Sequence, residues 1–380
     1  MKNKIVIIGG GASGLMLASL LPPKSAIVIE SNSHLGAKLL VCGGGRCNIT
    51  NTKLSPNYYR AKDYFVQYGL DMFDNNYVIN YFKERGLEVV IQKEGQYFCK
   101  NSAKDLVQIL ANEASKQDIK LNTKVLDIDK KDDTFYIQTS NGTIETSCVV
   151  VASGGLSFAK LGASDIGYKI ASKLGHSIVP TSPALVGLTL QKEQFFFKEL
   201  SGNSCDVRVS YQDYEFEGAL LFAHKGLSGP AILDISLFWD KGSITIDFLP
   251  DFDWQELSSS NKTLSNLLPL SKRITKAFLI QFGLDDKIAS KYTKKELQIL
   301  KKLNSYTFAP AGTFGYSKAE ATKGGVECSE VDCYTMQSKK CDGLYFLGEV
   351  LDVTGIVGGY NLQWAFSSAN VCAYSLEWRV

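Results

Sequence analysis

Residues 5–30 read IVIIGGGASGLMLASLLPPKSAIVIE. The short β-branched run at the start predicts a buried parallel strand over Ile5–Ile8. A helix is predicted from about Ser13 to Leu21, because Pro22-Pro23 cannot continue it. A second apolar run predicts another strand over Ala26–Ile29. This order of strand, glycine turn, helix and strand predicts an α/β fold of the Rossmann type.

The glycine turn has the spacing Gly9-x-Gly11-x-x-Gly14, and each glycine has a physical task. Gly9 allows the tight turn, Gly11 lets the backbone approach a pyrophosphate, and Gly14 permits close packing of helix on strand. Ala12 and Ser13 begin the helix, whose free N–H groups and partial positive charge favour phosphate. The turn therefore predicts a dinucleotide site.

An acid completes the motif. Glu30 lies 21 residues after Gly9, with Ser31 beside it, and its carboxylate can accept from both ribose hydroxyls of an adenosine. The same carboxylate disfavours a 2′-phosphate, so NADP is not expected at this site. A merely structural turn is the alternative, but it does not account for the strand, helix and acid together.

The C-terminal part of the chain favours FAD over NAD. A strand is predicted over Gly343–Leu347 and is followed by GEVLD at 348–352, a glycine-rich turn at 355–359 and a helical run over Asn361–Tyr374. An acid beside a second helix N-terminus suits the flavin end of a long cofactor. The helix can there stabilise negative charge on the reduced ring.

A third strand-and-glycine element is VVVASGG at Val149–Gly155. It follows a predicted hairpin with strands over Phe135–Ser140 and Thr143–Ser147 and the turn Asn141-Gly142. In FAD proteins such a crossover ends near the adenine. An ordinary core strand is the alternative.

Composition limits the classes of function. The 380 residues, 45% hydrophobic and 21% charged, suit a soluble globular protein of two to three domains. The net charge of +2 argues against a dedicated nucleic-acid binder. Nine cysteines without a C-x-x-C pair, and three histidines, predict reduced thiols in the cytoplasm and no metal site. Four glycines interrupt the apolar run 5–21, so neither a signal peptide nor a membrane span is expected.

Four further segments carry a family resemblance. They are KLLVCGGGRCNITN (38–51), FAHKGLSGPAIL (222–233), KAEATKGGVE (318–327) and GLYFLGEVLDVTGIVGGYNLQWAFSSA (343–369). The first is similar to the K-x-x-x-S-G-G-G-R-C-N-x-T-N signature of bacterial FAD flavoproteins known as NAD(P)/FAD-dependent oxidoreductases or the aminoacetone oxidase family. The chain resembles this family from end to end.

The resemblance implies a glutathione-reductase-like FAD domain, interrupted by a β-barrel-like domain that is itself interrupted by a small helical subdomain. Residues 1–185 and 326–380 would form the FAD domain. Residues 186–250 and 305–325 would form the inserted β-rich substrate domain, and 251–304 the helical insert.

Three residues depart from the family pattern. Cys42 stands where Ser is usual, Ala223 where Thr usually precedes the histidine, and Ala321 where Val is usual. These positions are expected near the substrate side, so they bear on substrate identity more than on FAD binding.

The segments above supply the residues expected to contact FAD. The resemblance places the glycine-rich segment along the flavin, where three glycines can line an anion or flavin edge and Arg46 can neutralise a phosphate. A flexible loop is the alternative. The full set is Gly9, Gly11, Ala12, Ser13, Gly14, Glu30, Ser31, Lys38, Gly43, Gly44, Gly45, Arg46, Cys47, Asn48, Val125, Ala152, Ser153, Gly154, Gly155, Gly348, Glu349, Asp352, Gly358, Gly359, Tyr360, Asn361 and Leu362.

Three residues are candidates for catalysis. His224, in a Gly/Ser/Pro-rich turn, could act as an acid, a base or a substrate contact, or could be structural. Lys38 could face the flavin or a phosphate, or could be a solvated loop lysine. Tyr360 could stack or donate at the flavin, or could only pack.

Two functional classes remain open at this point. The first is an FAD-dependent oxidoreductase that acts on a small molecule, either an amine or amino-ketone oxidase using dioxygen or a reductase of activated double bonds. NAD(P)H is the candidate transient donor for the reductase. The second is a redox-responsive binding or regulatory protein that holds FAD without turnover. No nucleic-acid or membrane partner is expected, and the oligomeric state is not assigned.

The paired cysteines and a lysine-rich stretch are interpreted as structural features without a functional role. Cys42 and Cys47, like Cys328 and Cys333, have the C-x4-C spacing of a redox dithiol, but glycines separate the first pair, so small loop or buried thiols are favoured. The Lys-rich stretch 291–302 is interpreted as a solvated helix face rather than a binding patch.

Overall fold

The computed structural model describes residues 4–377. The strands, in chain order, are β1 (Ile5–Ile8), β2 (Ala26–Ile29), β3 (Asn48–Asn51), β4 (Tyr59–Arg60), β5 (Val89–Ile91), β6 (Gln96–Cys99), β7 (Asp118–Lys120), β8 (Val125–Lys131), β9 (Thr134–Thr139), β10 (Gly142–Thr146), β11 (Val149–Val151), β12 (Ile178–Ala184), β13 (Leu188–Thr189), β14 (Ser204–Tyr211), β15 (Tyr214–Ala223), β16 (Gly226–Ser228), β17 (Ile244–Asp247), β18 (Tyr306–Phe308), β19 (Gly312–Thr313), β20 (Ala321–Val326), β21 (Leu344–Phe346) and β22 (Thr354–Gly355). The helices are α1 (Ala12–Leu20), α2 (Ala37–Val41), α3 (Asp63–Met72), α4 (Asn75–Lys83), α5 (Ala103–Ala114), α6 (Ile166–Lys173), α7 (Pro230–Phe238), α8 (Glu256–Ser259), α9 (Leu264–Leu267), α10 (Lys272–Phe282), α11 (Lys294–Leu300) and α12 (Tyr360–Glu377).

The described residues divide into two compact units. One comprises those up to Pro183 together with those from Glu320 onward, and the other is Ala184–Ala319. The first unit is built on a five-stranded sheet in the order β21-β11-β1-β2-β7, in which every adjacent pair is parallel. This arrangement confirms the Rossmann-type α/β prediction for the first unit.

Buried apolar residues explain why these segments form the central strands. All four residues of β1, all four of β2 and all three of β11 are buried, which is expected where helices cover both faces of a parallel sheet. Helix α1 packs against α12 and α5, and β-branched side chains fill the strands beneath them. The predicted strands Ile5–Ile8 and Ala26–Ile29 are confirmed residue for residue, and the helix starts at Ala12 instead of Ser13.

The hairpin prediction is confirmed, with its turn one residue earlier than predicted. β9 and β10 pair antiparallel with Thr139 opposite Gly142, so Ser140-Asn141 form the turn and Gly142 begins β10. β8 joins them in a three-stranded sheet, and β11 then enters the parallel sheet beside β1. This crossover carries the chain back to the strand edge where the glycine turn lies.

The second unit contains a seven-stranded antiparallel sheet in the order β18-β17-β14-β15-β16-β13-β19. Its core is aromatic, with the Phe197 ring 5.2 Å from Phe222 and 5.8 Å from Phe278, centroid to centroid. The helices α8 to α11 fall between β17 and β18, within the segment predicted as a helical insert. The barrel-like form of this sheet and the separate helical subdomain both remain predictions.

The boundaries of the two units differ by a few residues from the predicted domain boundaries. Residues 320–325 were assigned to the inserted domain, but they lie in the first unit. The reason is long-range pairing, because β20 forms a two-stranded sheet with β12 and Thr322 N–H donates to Glu349. Residues 184–185 likewise belong to the second unit, not to the first. The rest of the five-segment division stays a prediction.

Within residues 4–377, no helix combines the length and the apolar character that crossing a lipid bilayer requires.

Candidate functional site

The carboxyl ends of the parallel strands meet at one edge of the sheet, and the predicted cofactor residues follow them directly. Gly9 follows β1, Glu30 follows β2, Ala152 follows β11, and Gly348 comes two residues after β21. In open α/β sheets, ligands bind at this edge. The sheet thus brings together residues from the beginning, middle and end of the chain.

The glycine turn depends on close backbone approach. A Cβ at Gly9, whose φ is +113°, would lie 2.4 Å from the carbonyl oxygen of Ala152. A Cβ at Gly14 would lie 1.9 Å from the carbonyl oxygen of Gly9, so α1 can pack on the strand end only with glycine here. Gly11 differs, because a Cβ placed there would meet nothing within 4 Å. The open side of Gly11 is where a pyrophosphate is predicted.

The Glu30 carboxylate is buried and held by the backbone. Its Oε2 accepts from Gly10 N–H at 2.9 Å, while its Oε1 accepts from Asn32 N–H at 2.8 Å and from the Ser31 hydroxyl at 3.3 Å. The segment just before Val125 is tied to the same residue, since Thr123 N–H donates to the Glu30 carbonyl at 2.9 Å. Carboxylate oxygens have further lone pairs, so the fixed side chain can still accept from ribose hydroxyls.

The glycine-rich segment after α2 forms a tight turn. Gly43, Gly44 and Gly45 have φ values of +54°, +64° and +84°. A Cβ at Gly44 would meet no atom within 4 Å, so this part of the turn borders open space. Arg46 is anchored beside it, with its guanidinium carbon 5.9 Å from the centroid of the Phe98 ring. The turn can therefore present backbone N–H groups to a bound group.

Glu349 connects three predicted elements. Its Oε2 accepts from Lys38 Nζ at 2.6 Å, and its Oε1 accepts from Thr322 N–H at 2.8 Å. The Thr322 hydroxyl accepts from Leu156 N–H at 2.8 Å, and a Cβ at Gly155 would lie 2.6 Å from that hydroxyl. Sequence reasoning missed Thr322, although it lies in the quoted segment KAEATKGGVE. Lys38 is therefore an ion-paired side chain rather than a free lysine.

The start of α12 approaches β3 closely. A Cβ at Gly359, whose φ is +97°, would lie 2.7 Å from the backbone of Thr50. Tyr360 is buried, its ring centroid is 4.8 Å from that of Tyr58, and its carbonyl accepts from the Tyr59 hydroxyl at 3.0 Å. Tyr360 is thus held by aromatic packing at the helix start. Gly358 and Leu362 flank the same turn of the chain.

Two predicted polar residues have structural partners. The Asn361 side chain closes the turn before α12, since it accepts from Gly355 N–H and donates to the Gly355 carbonyl, each at 2.9 Å. The Asp352 carboxylate accepts from Arg60 and from Gly324 N–H, each at 3.1 Å. Burial raises the pKa of the Asp352 carboxyl, and the positive charge of Arg60 opposes that shift. Both residues are expected to shape the site.

One buried atom is suited to a missing partner. Asn48 is buried, and its Nδ2 donates to Gln96 Oε1 at 2.9 Å. Its Oδ1 has no hydrogen-bond partner among the described residues. A buried acceptor left unpaired costs about 1–3 kcal/mol. A hydroxyl or ring N–H of a bound cofactor would satisfy it, so this acceptor beside the turn at Gly43–Gly45 fits FAD.

The three catalytic candidates do not lie in one unit. Lys38 and Tyr360 belong to the first unit, together with the glycine turn. His224 belongs to the second unit, where it is exposed in the turn between β15 and β16. A catalytic role for any of the three stays a prediction.

One protein-family model matches nearly the whole chain, across both units. Residues 3–375 match the family described as HI0933-like protein Rossmann domain. The predicted family resemblance, which rested on four short segments, is thereby confirmed.

Two relatives of similar length align along nearly the whole chain. The chain is 36% identical to a ribosomal RNA dihydrouridine synthase of Escherichia coli, over 98% of this chain and 97% of that protein. It is 30% identical to a 3-dehydro-bile acid delta(4,6)-reductase of Clostridium scindens, over 96% of this chain and 97% of that protein.

Among solved structures, the chain is similar to the FrdA subunit of Escherichia coli quinol fumarate reductase. The TM-score is 0.51 with 14% identity, over 99% of this chain and 70% of that one. At this identity the similarity concerns the fold alone.

Gly11→Ala and Gly14→Ala form a matched pair that separates binding from folding. Gly11→Ala should leave the free energy of unfolding of the FAD-free protein within about 0.5 kcal/mol of the wild type. It should weaken FAD binding at least about tenfold, because the methyl group enters the space predicted for the pyrophosphate. Gly14→Ala should cost about 3 kcal/mol or more through its clash with Gly9. Urea unfolding and FAD titration measure both, and normal FAD affinity in Gly11→Ala would contradict the assignment.

Glu30→Ala should weaken FAD retention, because the ribose hydroxyls lose a charged acceptor worth about 1.5–3 kcal/mol. Glu30→Gln keeps the shape and one oxygen, so it should retain an intermediate amount. The measurement is the flavin-to-protein ratio after gel filtration. Glu145→Ala, at an exposed glutamate, is the control and should match the wild type. Full FAD retention in Glu30→Ala would remove the residue from the site.

Proposed function

We propose, since this chain belongs to the HI0933-like protein Rossmann-domain family, that it is an FAD-dependent reductase of a carbon–carbon double bond conjugated to a carbonyl group. A single observation carries the proposal. Two end-to-end relatives have names that describe this one type of reduction on different molecules. Dihydrouridine is uridine with two hydrogens added to its C5=C6 bond, and a delta(4,6)-reductase of a 3-oxo steroid saturates a conjugated bond.

The residues of the first unit would divide the work of holding FAD. Glu30 would accept from the adenosine ribose, and the N-terminus of α1 at Gly11 would receive the pyrophosphate. The turn at Gly43–Gly45 and the Lys38–Glu349 pair would border the flavin end. When bound, FAD supplies hydride transfer, while the protein supplies orientation and charge.

Lys38 is the side chain best placed to tune charge in this arrangement. Its ammonium group is 2.6 Å from Glu349 and remains 38% exposed, so it can also contact a negatively charged group nearby. An ammonium near a ring that gains negative charge on reduction favours the reduced state. The Thr322 and Lys38 hydrogen bonds hold the Glu349 carboxylate in place, which orients the pair.

NAD(P)H is the proposed donor, and it would bind transiently. No second G-x-G-x-x-G follows a strand in this sequence, so a separate dinucleotide site of that type is not expected and NAD(P)H would bind only transiently. A reductase fed by NAD(P)H is thus preferred to an oxidase that uses dioxygen. A regulatory protein without turnover is expected instead if no donor reduces the flavin.

A uridine in ribosomal RNA is the proposed substrate. Beyond the relative's name, charge distribution supports it. The segment from Lys262 to Lys302 contains ten Lys or Arg and three Asp or Glu, an excess of seven positive charges. The whole chain has an excess of two. Basic surfaces of this kind contact phosphates. The expectation of a small-molecule substrate, which the bile acid reductase illustrates, is the competing proposal.

Most of these basic side chains are accessible. Eight of them lie at exposed positions in or beside α10 and α11, whereas Lys287 pairs with Glu296 at 2.6 Å. The exposed set is Lys272, Arg273, Lys276, Lys291, Lys294, Lys295, Lys301 and Lys302. We call this set the basic residues of the insert. Its alternative is a solvated surface without a partner.

The test begins with the FAD-loaded protein under nitrogen. NADPH or NADH should bleach the flavin spectrum, and unmodified ribosomal RNA should then restore it while dihydrouridine forms, as detected by mass spectrometry of nucleosides. A 3-oxo-Δ4 steroid serves as the small-molecule acceptor in a parallel reaction. Reoxidation by the steroid alone would overturn the RNA substrate but keep the reductase. A flavin that neither nicotinamide reduces would overturn the reductase.

Neutralising two of the basic residues of the insert should weaken RNA binding. The double variant Lys301→Gln and Lys302→Gln should flatten the dependence of log affinity on log salt by about 0.7–0.9 per lost phosphate contact. The measurement is RNA affinity at several salt concentrations. Lys83→Gln with Lys104→Gln, at exposed lysines of the first unit, is the matched control. Equal salt dependence in both double variants would contradict an RNA-binding role for the insert.

A further inference from the structure

We propose that Cys42 and Cys47 form a reversible, peroxide-sensitive dithiol at the glycine-rich turn, with Cys99 as a third thiol behind them. The proposal goes beyond the reductase function and does not depend on which substrate is reduced. The two cysteines would form a site of reversible oxidation at the turn.

The turn brings the two cysteines of the C-x4-C spacing together. Cys47 N–H donates to the Cys42 carbonyl at 3.0 Å, and Cys99 N–H donates to the Cys47 carbonyl at 3.4 Å. The three glycines between Cys42 and Cys47 adopt left-handed conformations, and so does Cys47 itself, with φ of +52°. The C-x4-C spacing alone left open whether the two cysteines meet, and the left-handed glycines bring them close because they fold the chain back on itself.

The backbone hydrogen bond sets an upper limit on the separation of the two residues. Standard bond lengths added to the 3.0 Å N···O distance place the Cα atoms of Cys42 and Cys47 no more than roughly 7 Å apart. Disulfides occur at Cα separations up to about 7 Å. A bond between these cysteines thus needs little movement of the turn.

The three cysteines are free thiols. Interaction with the Cys47 thiol lowers the pKa of the Cys42 thiol, whereas interaction with Cys42 and Cys99 raises the pKa of the Cys47 thiol. Cys42 is partly exposed, while Cys47 and Cys99 are buried. An accessible thiol with a lowered pKa beside a second thiol is the arrangement of redox-sensing cysteines.

A metal site is the other use for three adjacent thiols. Among residues 4–377, no group of three or more His, Cys, Asp or Glu side chains is arranged to hold a metal ion. Cys42 stands where the signature that residues 38–51 resemble has Ser.

The oxidation is balanced with hydrogen peroxide as the oxidant. The Cys42 thiolate attacks one peroxide oxygen, the O–O bond breaks, and the departing hydroxide takes a proton to leave as water. The resulting sulfenic acid at Cys42 is attacked by the Cys47 sulfur, which loses its proton, and a second water leaves as the S–S bond forms. A dithiol reductant returns both thiols. The disulfide would lock the turn at Gly43–Gly45.

Peptide mapping can test the pair because a trypsin site separates the two cysteines. Cleavage after Lys38, Arg46 and Lys53 releases Leu39–Arg46 and Cys47–Lys53 as separate peptides. After peroxide treatment, blocking of free thiols and digestion, these two peptides should remain linked. The free-thiol count of the denatured protein should fall by two from nine, and dithiothreitol should restore it.

Two variants make the result specific. Cys42→Ser, which installs the residue usual in the family, should abolish the linked peptides and keep the thiol count of the treated variant unchanged. Cys205→Ser removes a partly exposed cysteine of the second unit and should leave the linkage intact. A linkage of Cys47–Lys53 to Glu94–Lys100 in the wild type, loss of thiols without linkage, or no loss at all would each overturn the Cys42–Cys47 pair.

Discussion

The contact between Gly14 and the carbonyl oxygen of Gly9 is the constraint on which the rest of the structure depends. Because a Cβ at residue 14 would lie 1.9 Å from that oxygen, only glycine lets α1 begin directly after β1 and pack onto the strand end. This short connection aims the helix N-terminus at the sheet edge. Its unpaired N–H groups then become a site for anions instead of a cost.

The same edge explains why distant segments form one site. Parallel strands must end on the same side, so the residues after β1, β2, β11 and β21 become neighbours wherever they lie in the chain. Hydrogen bonds then fix their side chains, as when Gly10 N–H and Asn32 N–H hold Glu30. Polar groups that are held before a ligand arrives lose less entropy when it binds.

Local patterns predicted several of the elements that border this candidate site, whereas other parts of it depend on long-range contacts. The β1–α1–β2 unit and the hairpin β9–β10 follow from apolar runs and turn residues within a few positions. Thr322 could not be found in this way, because its partners Glu349 and Leu156 are distant in sequence. For the same reason the predicted boundary between 325 and 326 differs from the unit boundary at Glu320. The backbone hydrogen bond between Cys47 and Cys42 was not predicted, because three left-handed glycines reverse the chain in a way that spacing alone does not reveal.

An average over the whole chain conceals how unevenly charge is distributed along it. A net charge of +2 argued against nucleic acid, yet the segment from Lys262 to Lys302 has an excess of seven positive charges, so the remainder is acidic on balance. Electrostatic attraction falls off within about a Debye length, roughly 8 Å in physiological salt. A phosphate backbone therefore responds to the local surface it touches and not to the sum over both units. The excess is confined to this segment, because the second unit as a whole has 16 Lys or Arg and 15 Asp or Glu, so a contact with an anionic polymer is expected at the segment and not over the whole unit.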